Sequence, residues 1–314
     1  MTDFADRWKD EWNDLPEDMR VFATHAGPTD AHILLLGEPG SGKGYLARIL
    51  HDLSSRAGGP FVPQNCGVFT ESLAEAKLFG HVKGAYTGAT ESRAGLVEAA
   101  AGGTLFLDEL GALPSAVQPM LLMFLETREF SRMGSTPVLK ADVRVIAATN
   151  RDLGAAIAEG VFREDLVGRM SPRYKVPPLR ERRRAIEGIV QRFLRQTYAE
   201  TRVEWRLTET AAARLRDHDW PGNIRELLNV LRYCVMFAKD AVIDPDVVEK
   251  AIQNQRIGAK PRRHRWTAES WKRATDEEKR RMLAEALDAA DGNVSEAARM
   301  LVIHRSTVYQ WLKR

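Results

Sequence analysis

The chain of 314 residues carries an eight-residue glycine-rich loop, Gly37-Glu38-Pro39-Gly40-Ser41-Gly42-Lys43-Gly44. An apolar run, 33–36, precedes this loop, and a stretch of helical character, 45–50, follows it. Glycines let backbone N–H groups turn toward phosphate oxygens, the first turn of a helix carries partial positive charge, and Lys43 adds a full charge. The order strand, loop, helix and the spacing G-x-x-x-x-G-K therefore predict a phosphate-binding loop (P-loop) for a nucleotide such as ATP.

A second strand-like run, Leu105 to Leu107, ends in Asp108 and Glu109. Gly44 stands where many P-loops have a hydroxyl that ligates Mg²⁺, so the metal must be held elsewhere. We expect Asp108 to hold Mg²⁺, largely through water, and Glu109 to orient or deprotonate the attacking water. Taken alone, a glycine-rich turn and an acidic strand end are also ordinary structural features.

Polar residues end two further apolar runs. Thr149 and Asn150 follow 143–148, and we expect them to lie beside the terminal phosphate as polar sensors. Asn65 follows 61–64 and could hold Glu109 in an inactive pose. For all three residues, capping of a strand end or a turn is the structural alternative.

Short apolar runs alternate with helical stretches over 31–180, which predicts an α/β unit with a mostly parallel sheet. The region 183–254 is predicted to be helical, with Thr208 as an N-cap and with helices that start at Pro221 and at Pro245, the latter after Asp244. The predicted organisation is a short N-terminal segment, an α/β subdomain, a helical lid, a basic linker and a helix-turn-helix unit, at 1–30, 31–180, 181–254, 255–274 and 275–314.

Positive charge is concentrated at the C-terminal end. Residues 256–314 contain 14 Lys and Arg residues but 8 Asp and Glu residues, whereas the remainder has a small acidic excess. This asymmetry favours a nucleic-acid-binding unit on a near-neutral body, although a solvated linker would have the same composition. There is no run of eighteen apolar residues and no signal-peptide order, and Cys66 and Cys234 are the only cysteines. We therefore expect a cytoplasmic protein without membrane insertion.

The C-terminal stretch 292–313 has the pattern of two helices joined by a short turn at 302–304. Ala297, Ala298, Leu301, Val308 and Leu312 have the spacing of one packed face. We expect the opposite face of the second helix to contact phosphates and base edges of double-stranded DNA. Its candidate DNA-binding residues are Arg305, Ser306, Thr307, Gln310, Lys313 and Arg314. A helical hairpin used for oligomerisation is the alternative.

The segment Gly84-Ala85-Tyr86-Thr87-Gly88-Ala89 resembles the GAFTGA loop of bacterial enhancer-binding proteins, with Tyr86 where the family usually has Phe. These proteins are AAA+ ATPases of the NtrC type that activate sigma-54 RNA polymerase. The resemblance covers nearly the whole chain from about residue 30. It continues through GGTLFLDE, DVRVIAATN, FREDL, PPLRER and WPGNIREL, at 102–109, 142–150, 162–166, 177–182 and 220–227. The C-terminal unit resembles the Fis-type DNA-binding domain of the same family.

The resemblance implies an ATP- and Mg²⁺-dependent AAA+ ring, expected to be a hexamer of one or of mixed subunits. Arg163 and Arg169 match arginine fingers that reach the nucleotide of a neighbouring subunit, and Arg225 matches the sensor arginine of the lid. Residues 84–89 would contact sigma-54. About thirty residues precede the first strand, so we expect a single-component type, like the phage-shock activator or the hypersensitive-response regulators. Its activity would be constitutive or controlled by a regulator in trans.

Two other functions compete with an activator of sigma-54 polymerase. One is a DNA-binding regulator with a vestigial ATPase fold, and the other is an ATP-driven DNA remodeller. Neither needs the GAYTGA sequence that this chain has. Gly44 departs from the Glu that is common in the family after the P-loop lysine, which leaves the rate of ATP hydrolysis open.

Overall fold

The computed structural model describes Trp8 and residues 12–255, 268–289 and 294–312, in two compact units that divide after Asn254. No helix in these ranges is long and apolar enough to cross a membrane. The helices up to residue 255 are α1 (Glu17–Ala26), α2 (Lys43–Asp52), α3 (Ala74–Phe79), α4 (Leu96–Ala99), α5 (Gln118–Thr127), α6 (Leu153–Ala158), α7 (Glu164–Gly168), α8 (Ala185–Thr201), α9 (Glu209–Asp217), α10 (Asn223–Phe237) and α11 (Pro245–Gln255). The strands are β1 (Ile33–Leu36), β2 (Phe61–Asn65), β3 (Thr104–Asp108), β4 (Glu129–Phe130), β5 (Leu139–Lys140), β6 (Arg144–Thr149), β7 (Arg173–Lys175), β8 (Arg206–Leu207) and β9 (Val242–Ile243).

The main sheet is parallel and has the strand order β2-β3-β6-β1-β7. Its three central strands are the apolar runs that predicted an α/β fold, and their side chains are almost all buried. Edge strand β7 was not predicted, because Arg173 and Lys175 are exposed and give it no apolar signal. Parallel pairing brings the carboxyl ends of β1, β3 and β6 to one edge, where the P-loop, Asp108 and Asn150 follow.

Both faces of the sheet are covered. One face packs against α3 and α5 through Phe79, Phe124 and other apolar side chains. The other face packs against α2 and against α1, a helix that the sequence did not predict. The segment before α1 is anchored as well: the indole Nε1 of Trp8 donates to Asp52 at 3.0 Å, and its ring meets Tyr45 edge-on. The N-terminal tryptophan therefore belongs to the core of the α/β subdomain.

Helices α8 to α11 form the lid around the fully buried Trp220, whose Nε1 donates to the carbonyl of Leu215 at 2.8 Å. The predicted caps are confirmed: Thr208 accepts from the N–H of Ala211, and Asp244 accepts from the N–H of Val247 at the start of α11. The lid is not purely helical as predicted, because β8 and β9 form a short parallel pair. Two-residue strands have no periodicity that a sequence pattern could reveal.

The second unit contains α12 (Ala268–Arg273), α13 (Asp276–Ala289), α14 (Val294–Leu301) and α15 (Arg305–Leu312). The expected packed face is confirmed for Ala297, Ala298, Leu301 and Val308, which are buried together. Helix α12 falls inside the stretch predicted as a linker, and Trp271 from it is buried in the same core. Lys313, Arg314 and residues 256–267 of the linker lie outside the described residues.

Arg144 joins three elements of the α/β subdomain from inside. Its buried guanidinium donates to the carbonyls of Ala26, Gly27, Ala31 and Leu50, at 2.7, 2.8, 3.2 and 3.2 Å. Three of these carbonyls lie near the C-terminal ends of α1 and α2, where the helix dipole favours a cation. Burial lowers the pKa of Arg144 to about 10, against the opposing effect of Asp30. Arg144 therefore ties α1 and α2 to β6.

We expect Arg144→Met to lower the free energy of unfolding by about 3–5 kcal/mol, because it leaves several buried carbonyls without a donor. Urea unfolding followed by circular dichroism measures this change. Arg216→Met is the matched control, since Arg216 pairs with Glu209 at the surface, where the two side chains are 41% and 85% exposed. A loss below 1 kcal/mol for Arg144→Met would contradict this role for the guanidinium.

Candidate nucleotide-binding site

The P-loop leads directly into α2, as its sequence predicts. Gly40 and Gly42 have positive φ angles of 73° and 97°, a conformation that glycine adopts without strain. Lys43 begins the helix, is 8% exposed, and donates through Nζ to the carbonyls of Gly37 at 2.8 Å and Glu38 at 2.9 Å. Burial lowers the pKa of Lys43, and the nearby Asp108 carboxylate opposes that shift. The ammonium group is therefore held over the loop.

A cavity of about 1460 Å³ brings together residues from separate parts of the first unit. Lys43, Asp108, Glu109 and Asn150 line it at the edge of the sheet. Leu15 and Met19 line it from the N-terminal segment and α1. The lid contributes further side chains, including Ile189, Phe193, Ile224, Arg225 and Leu228. A charged end and an apolar flank are the surroundings that a nucleoside triphosphate needs.

Two acidic side chains mark the end of β3. Glu109 has a positive φ of 55°, and its N–H donates to Oδ1 of Asp108 at 2.9 Å. Among the described residues, no group of three or more His, Cys, Asp and Glu side chains could hold a metal ion. A cation at Asp108 would therefore need phosphate and water oxygens as its other ligands, which is the usual arrangement for Mg²⁺.

Asn65 and Glu109 flank the same glycine. The side-chain oxygen of Asn65 accepts from the N–H of Gly67 at 2.6 Å. A Cβ atom on Gly67 would lie 2.5 Å from Oε2 of Glu109 and 3.0 Å from Oδ1 of Asn65. Gly67 was not among the predicted site residues, although a glycine two residues after Asn65 was a signal in the sequence. Its missing side chain leaves the space that the Glu109 carboxylate uses.

Thr149 faces its own turn and does not line the cavity. It is buried, its Oγ1 accepts from the N–H of Arg151 at 3.1 Å, and its carbonyl accepts from the N–H of Gly37 at 3.2 Å. Thr149 therefore joins the end of β6 to the start of the P-loop. Of the two predicted sensors, Asn150 alone lines the cavity.

Arg182 was missed by sequence reasoning, although it lies in the PPLRER segment. Its guanidinium lines the cavity and donates to the carbonyl of Ser41, and burial lowers its pKa. Both Nε of Arg182 and Oγ of the fully buried Ser41 have no hydrogen-bond partner among the described residues. Buried polar atoms without partners are uncommon, and the phosphates of a nucleotide could satisfy them. The residues present therefore fit a bound nucleoside triphosphate.

Arg163 and Arg169 do not line this cavity. Arg163 precedes α7 and pairs with Asp165 at 2.6 Å, and Arg169 follows α7 and pairs with Glu126 at 2.5 Å. Their side chains are 48% and 58% exposed. Both guanidinium groups are therefore accessible from outside the subunit.

Residues 84–89 form a closed turn. The N–H of Gly84 donates to the carbonyl of Ala89 at 2.8 Å, and both glycines have positive φ angles, 83° for Gly84 and 101° for Gly88. The Tyr86 ring lies edge-on to His81, with centroids 5.2 Å apart, while Thr87 is exposed. Ala85 packs closely on Gly134: a Cβ atom added to Gly134 would lie 2.8 Å from the Cβ of Ala85. A second loop thus supports the turn and leaves Thr87 open to a partner.

Helix α15 presents polar side chains to solvent. Arg305, Ser306 and Gln310 are exposed, and Thr307 is partly exposed. The guanidinium of Arg305 lies 5.9 Å from the centroid of the Tyr309 ring, which is itself 47% exposed. Tyr309 was not among the predicted contacts. The described part of this face has the donors and the open surface that a major groove requires.

The chain matches three families in order. The Sigma-54 interaction domain matches residues 13–173, the AAA+ ATPase lid domain 180–265, and the bacterial regulatory protein Fis family 276–314. The chain is 41% identical to the alginate biosynthesis transcriptional regulatory protein AlgB of Pseudomonas aeruginosa, over 93% of this chain and 64% of that protein. It is 40% identical to the regulatory protein AtoC of Escherichia coli, over 88% of this chain and 61% of that protein.

A solved structure is also similar. NtrX from Brucella abortus in complex with ATP aligns over 94% of this chain and 66% of that one, with a TM-score of 0.67 and 32% identity. The chain spans just under two thirds of the length of the curated relatives AlgB and AtoC. The predicted fold class is confirmed: a parallel-sheet AAA+ domain, a helical lid and a Fis-like helix-turn-helix unit.

We expect Gly67→Ala to slow ATP hydrolysis at least tenfold while leaving ATP affinity within about twofold, because the new methyl group meets the side-chain ends of Glu109 and Asn65 and displaces the nearer Glu109 carboxylate. Phosphate release and the binding of a fluorescent ATP analogue measure the two effects separately. Gly58→Ala is the matched control, since a Cβ at Gly58 would meet no atom within 4 Å. Unchanged hydrolysis by Gly67→Ala would show that this space does not matter to Glu109.

Proposed function

The chain belongs to the Sigma-54 interaction domain family, and we propose that it is an ATP-hydrolysing activator of transcription. It would bind upstream double-stranded DNA through α15, assemble as a ring, and remodel sigma-54 RNA polymerase with residues 84–89. The observation that carries this proposal is that one chain combines a complete nucleotide cavity with an exposed GAYTGA turn. The match to a Fis-family domain at the C-terminal end supports the DNA-binding part.

Each side chain of the nucleotide site would have a separate role. Lys43 and the P-loop N–H groups would bind the phosphates, and Asp108 would hold Mg²⁺, partly through water. That ion would neutralise charge on the phosphates. Glu109 would accept a proton from the attacking water or orient it, and Asn150 would contact the terminal phosphate. Arg225 would read the nucleotide from the lid of the same subunit.

Arg163 and Arg169 would act on the site of a neighbouring subunit. Each guanidinium is half exposed and paired with a carboxylate of its own chain, so it could exchange that partner for a phosphate oxygen. A guanidinium stabilises charge on a transferring phosphoryl group and is planar, which suits two phosphate oxygens at once. Hydrolysis would then require an assembled ring, which we propose to be a hexamer.

Mixing two inactive variants tests whether Arg163 acts on the nucleotide site of the neighbouring subunit. Arg163→Ala keeps a complete site but offers no finger, and Glu109→Gln offers the finger but has no base. We expect each alone to hydrolyse ATP at least a hundredfold more slowly than wild type. An equal mixture should recover about a quarter of the wild-type rate, because a quarter of random interfaces pair an intact site with an intact finger. No recovery by the mixture would contradict action in trans.

Capture of purified sigma-54 tests the activator function. ADP with aluminium fluoride stands in for the nucleotide during phosphoryl transfer, and we expect it to promote capture by wild type. Thr87→Ala should reduce capture at least tenfold, because Thr87 is an exposed polar contact at the tip of the turn. Thr90→Ala, just after the turn, is the matched control and should be captured normally.

The same measurement separates the competing functions. ATP hydrolysis without capture would favour an ATP-driven DNA remodeller. Neither hydrolysis nor capture would favour a DNA-binding regulator with a vestigial ATPase fold. Either result would overturn the proposed activator.

A further inference from the structure

Residues 180–182 and 223–224 grip the P-loop through hydrogen bonds. The Glu38 carboxylate accepts two bonds from Arg180, at 2.7 and 2.8 Å, and one from Nδ2 of Asn223 at 3.0 Å. The next three residues are held by their carbonyls: Pro39 by Nδ2 of Asn223 at 3.1 Å, Gly40 by the N–H of Ile224 at 3.0 Å, and Ser41 by Arg182. Four consecutive P-loop residues are therefore bonded to residues 180–182 and 223–224.

Asn223 is the centre of this grip. It is fully buried, it begins α10, and its positive φ of 56° is uncommon for a residue other than glycine. Its side-chain oxygen accepts from the N–H of Leu179 at 2.8 Å, which leaves both amide protons for Glu38 and Pro39. The Asn223 amide group therefore joins the P-loop, through Glu38 and Pro39, to Leu179 just before the lid.

The grip determines where the N–H groups of the loop point. A peptide unit is planar and trans, so its C=O and N–H point in opposite directions. Carbonyls of Pro39, Gly40 and Ser41 that accept bonds from residues 182, 223 and 224 therefore fix the directions of the N–H groups of the following residues. One of these, the N–H of Ser41, donates to the carbonyl of Glu38 at 3.3 Å, and Nζ of Lys43 donates to the same carbonyl at 2.9 Å.

Close packing leaves the lid little freedom to move alone. A Cβ on Gly40 would collide with the carbonyl of Gly222 and lie 3.1 Å from Cβ of Arg225. Ile224 and Arg225 follow Asn223 directly on α10. A rotation of α10 would therefore move the P-loop N–H groups and the guanidinium of Arg225 together.

We propose that Asn223 is a positioning residue for ATP binding and turnover, which sets the P-loop N–H groups and couples them to the lid. This inference rests on the proposed ATPase function. Asn223 acts through the P-loop backbone and does not itself contact the phosphates. Glu38 and Arg180 complete the same grip.

Asn223→Asp is the primary test, because aspartate keeps the acceptor for Leu179 but loses both donors and faces the Glu38 carboxylate. The full chain is titrated with Mg²⁺ and ATP carrying a methylanthraniloyl group, and fluorescence gives the Kd. We expect the Kd to rise about 10- to 100-fold, as loss of two buried hydrogen bonds predicts. Asn229→Asp, on the same helix, should stay within about twofold of wild type. A wild-type Kd for Asn223→Asp would overturn the inference.

A reversed pair distinguishes positioning from a general effect on folding. In Glu38→Gln with Asn223→Asp, the new amide of residue 38 could donate to the new carboxylate of residue 223. We expect this double variant to bind the labelled ATP at least fivefold more tightly than Asn223→Asp alone. Binding as weak as the single variant, or weaker, would show that Asn223 supports the fold and not the loop.

Arg180→Lys is a second route, should Asn223→Asp fail to fold. The Arg180 side chain is 28% exposed, and lysine cannot hold both oxygens of Glu38. We expect a Kd about 3- to 10-fold above wild type with an unchanged Tm, and an unchanged Kd would overturn the inference. Wild type that neither binds nor hydrolyses ATP would instead reject the proposed function, so the two failures are distinguishable.

Discussion

Parallel pairing of β3, β6 and β1 is the constraint on which the nucleotide site depends. These strands are separated by long stretches of chain, yet their carboxyl ends lie side by side because every neighbour runs in the same direction. The P-loop, Asp108 and Asn150 need no further arrangement to meet at that edge. Burial of the central strands on both faces makes a slip in register costly, since it would disrupt close packing against the helices on either side. The packed core therefore fixes the positions of the site residues.

The P-loop connects the lid to the sheet. Glu38, Pro39, Gly40 and Ser41 are bonded to the lid, so the loop is shared between the two subdomains. A nucleotide that draws the phosphate-facing N–H groups inward would pull on the carbonyls behind them. On this proposal, nucleotide state and lid position would be mechanically linked without any contact between the phosphates and Asn223.

Much of the fold was readable from the sequence, because strong local patterns determine it. The apolar runs of the central strands, the caps at Thr208 and Asp244, and the packed face of α14 and α15 are confirmed. Edge strand β7 is short and polar, and β8 and β9 have two residues each, so none of them leaves a pattern. Helix α1 was missed because its buried residues are only Met19, Ala23 and Ala26, which give it a weak apolar pattern.

The site was readable only where a motif concentrates the chemistry. Lys43, Asp108 and Glu109 follow strands in a recognisable order, and the structure brings them to one cavity. Arg182 and Asn223 lack such a signal: arginine is common in this chain, and the need for two buried donors at Asn223 arises from tertiary contacts. Arg163 and Arg169 are visible as exposed residues of one subunit, and their proposed action requires a second subunit.

The anchoring of the N-terminal segment has a mechanical consequence. Trp8 is held against α2, Asp14 pairs with Arg192 of the lid, and Leu15 and Met19 line the nucleotide cavity. A pull applied ahead of Trp8 would therefore act first on α2, the helix that begins at Lys43 of the P-loop. Trp8 and residues 12–19 thus connect this end of the chain to the nucleotide site. A tag or domain joined at this end should retain that segment, since shortening it would remove one wall of the site.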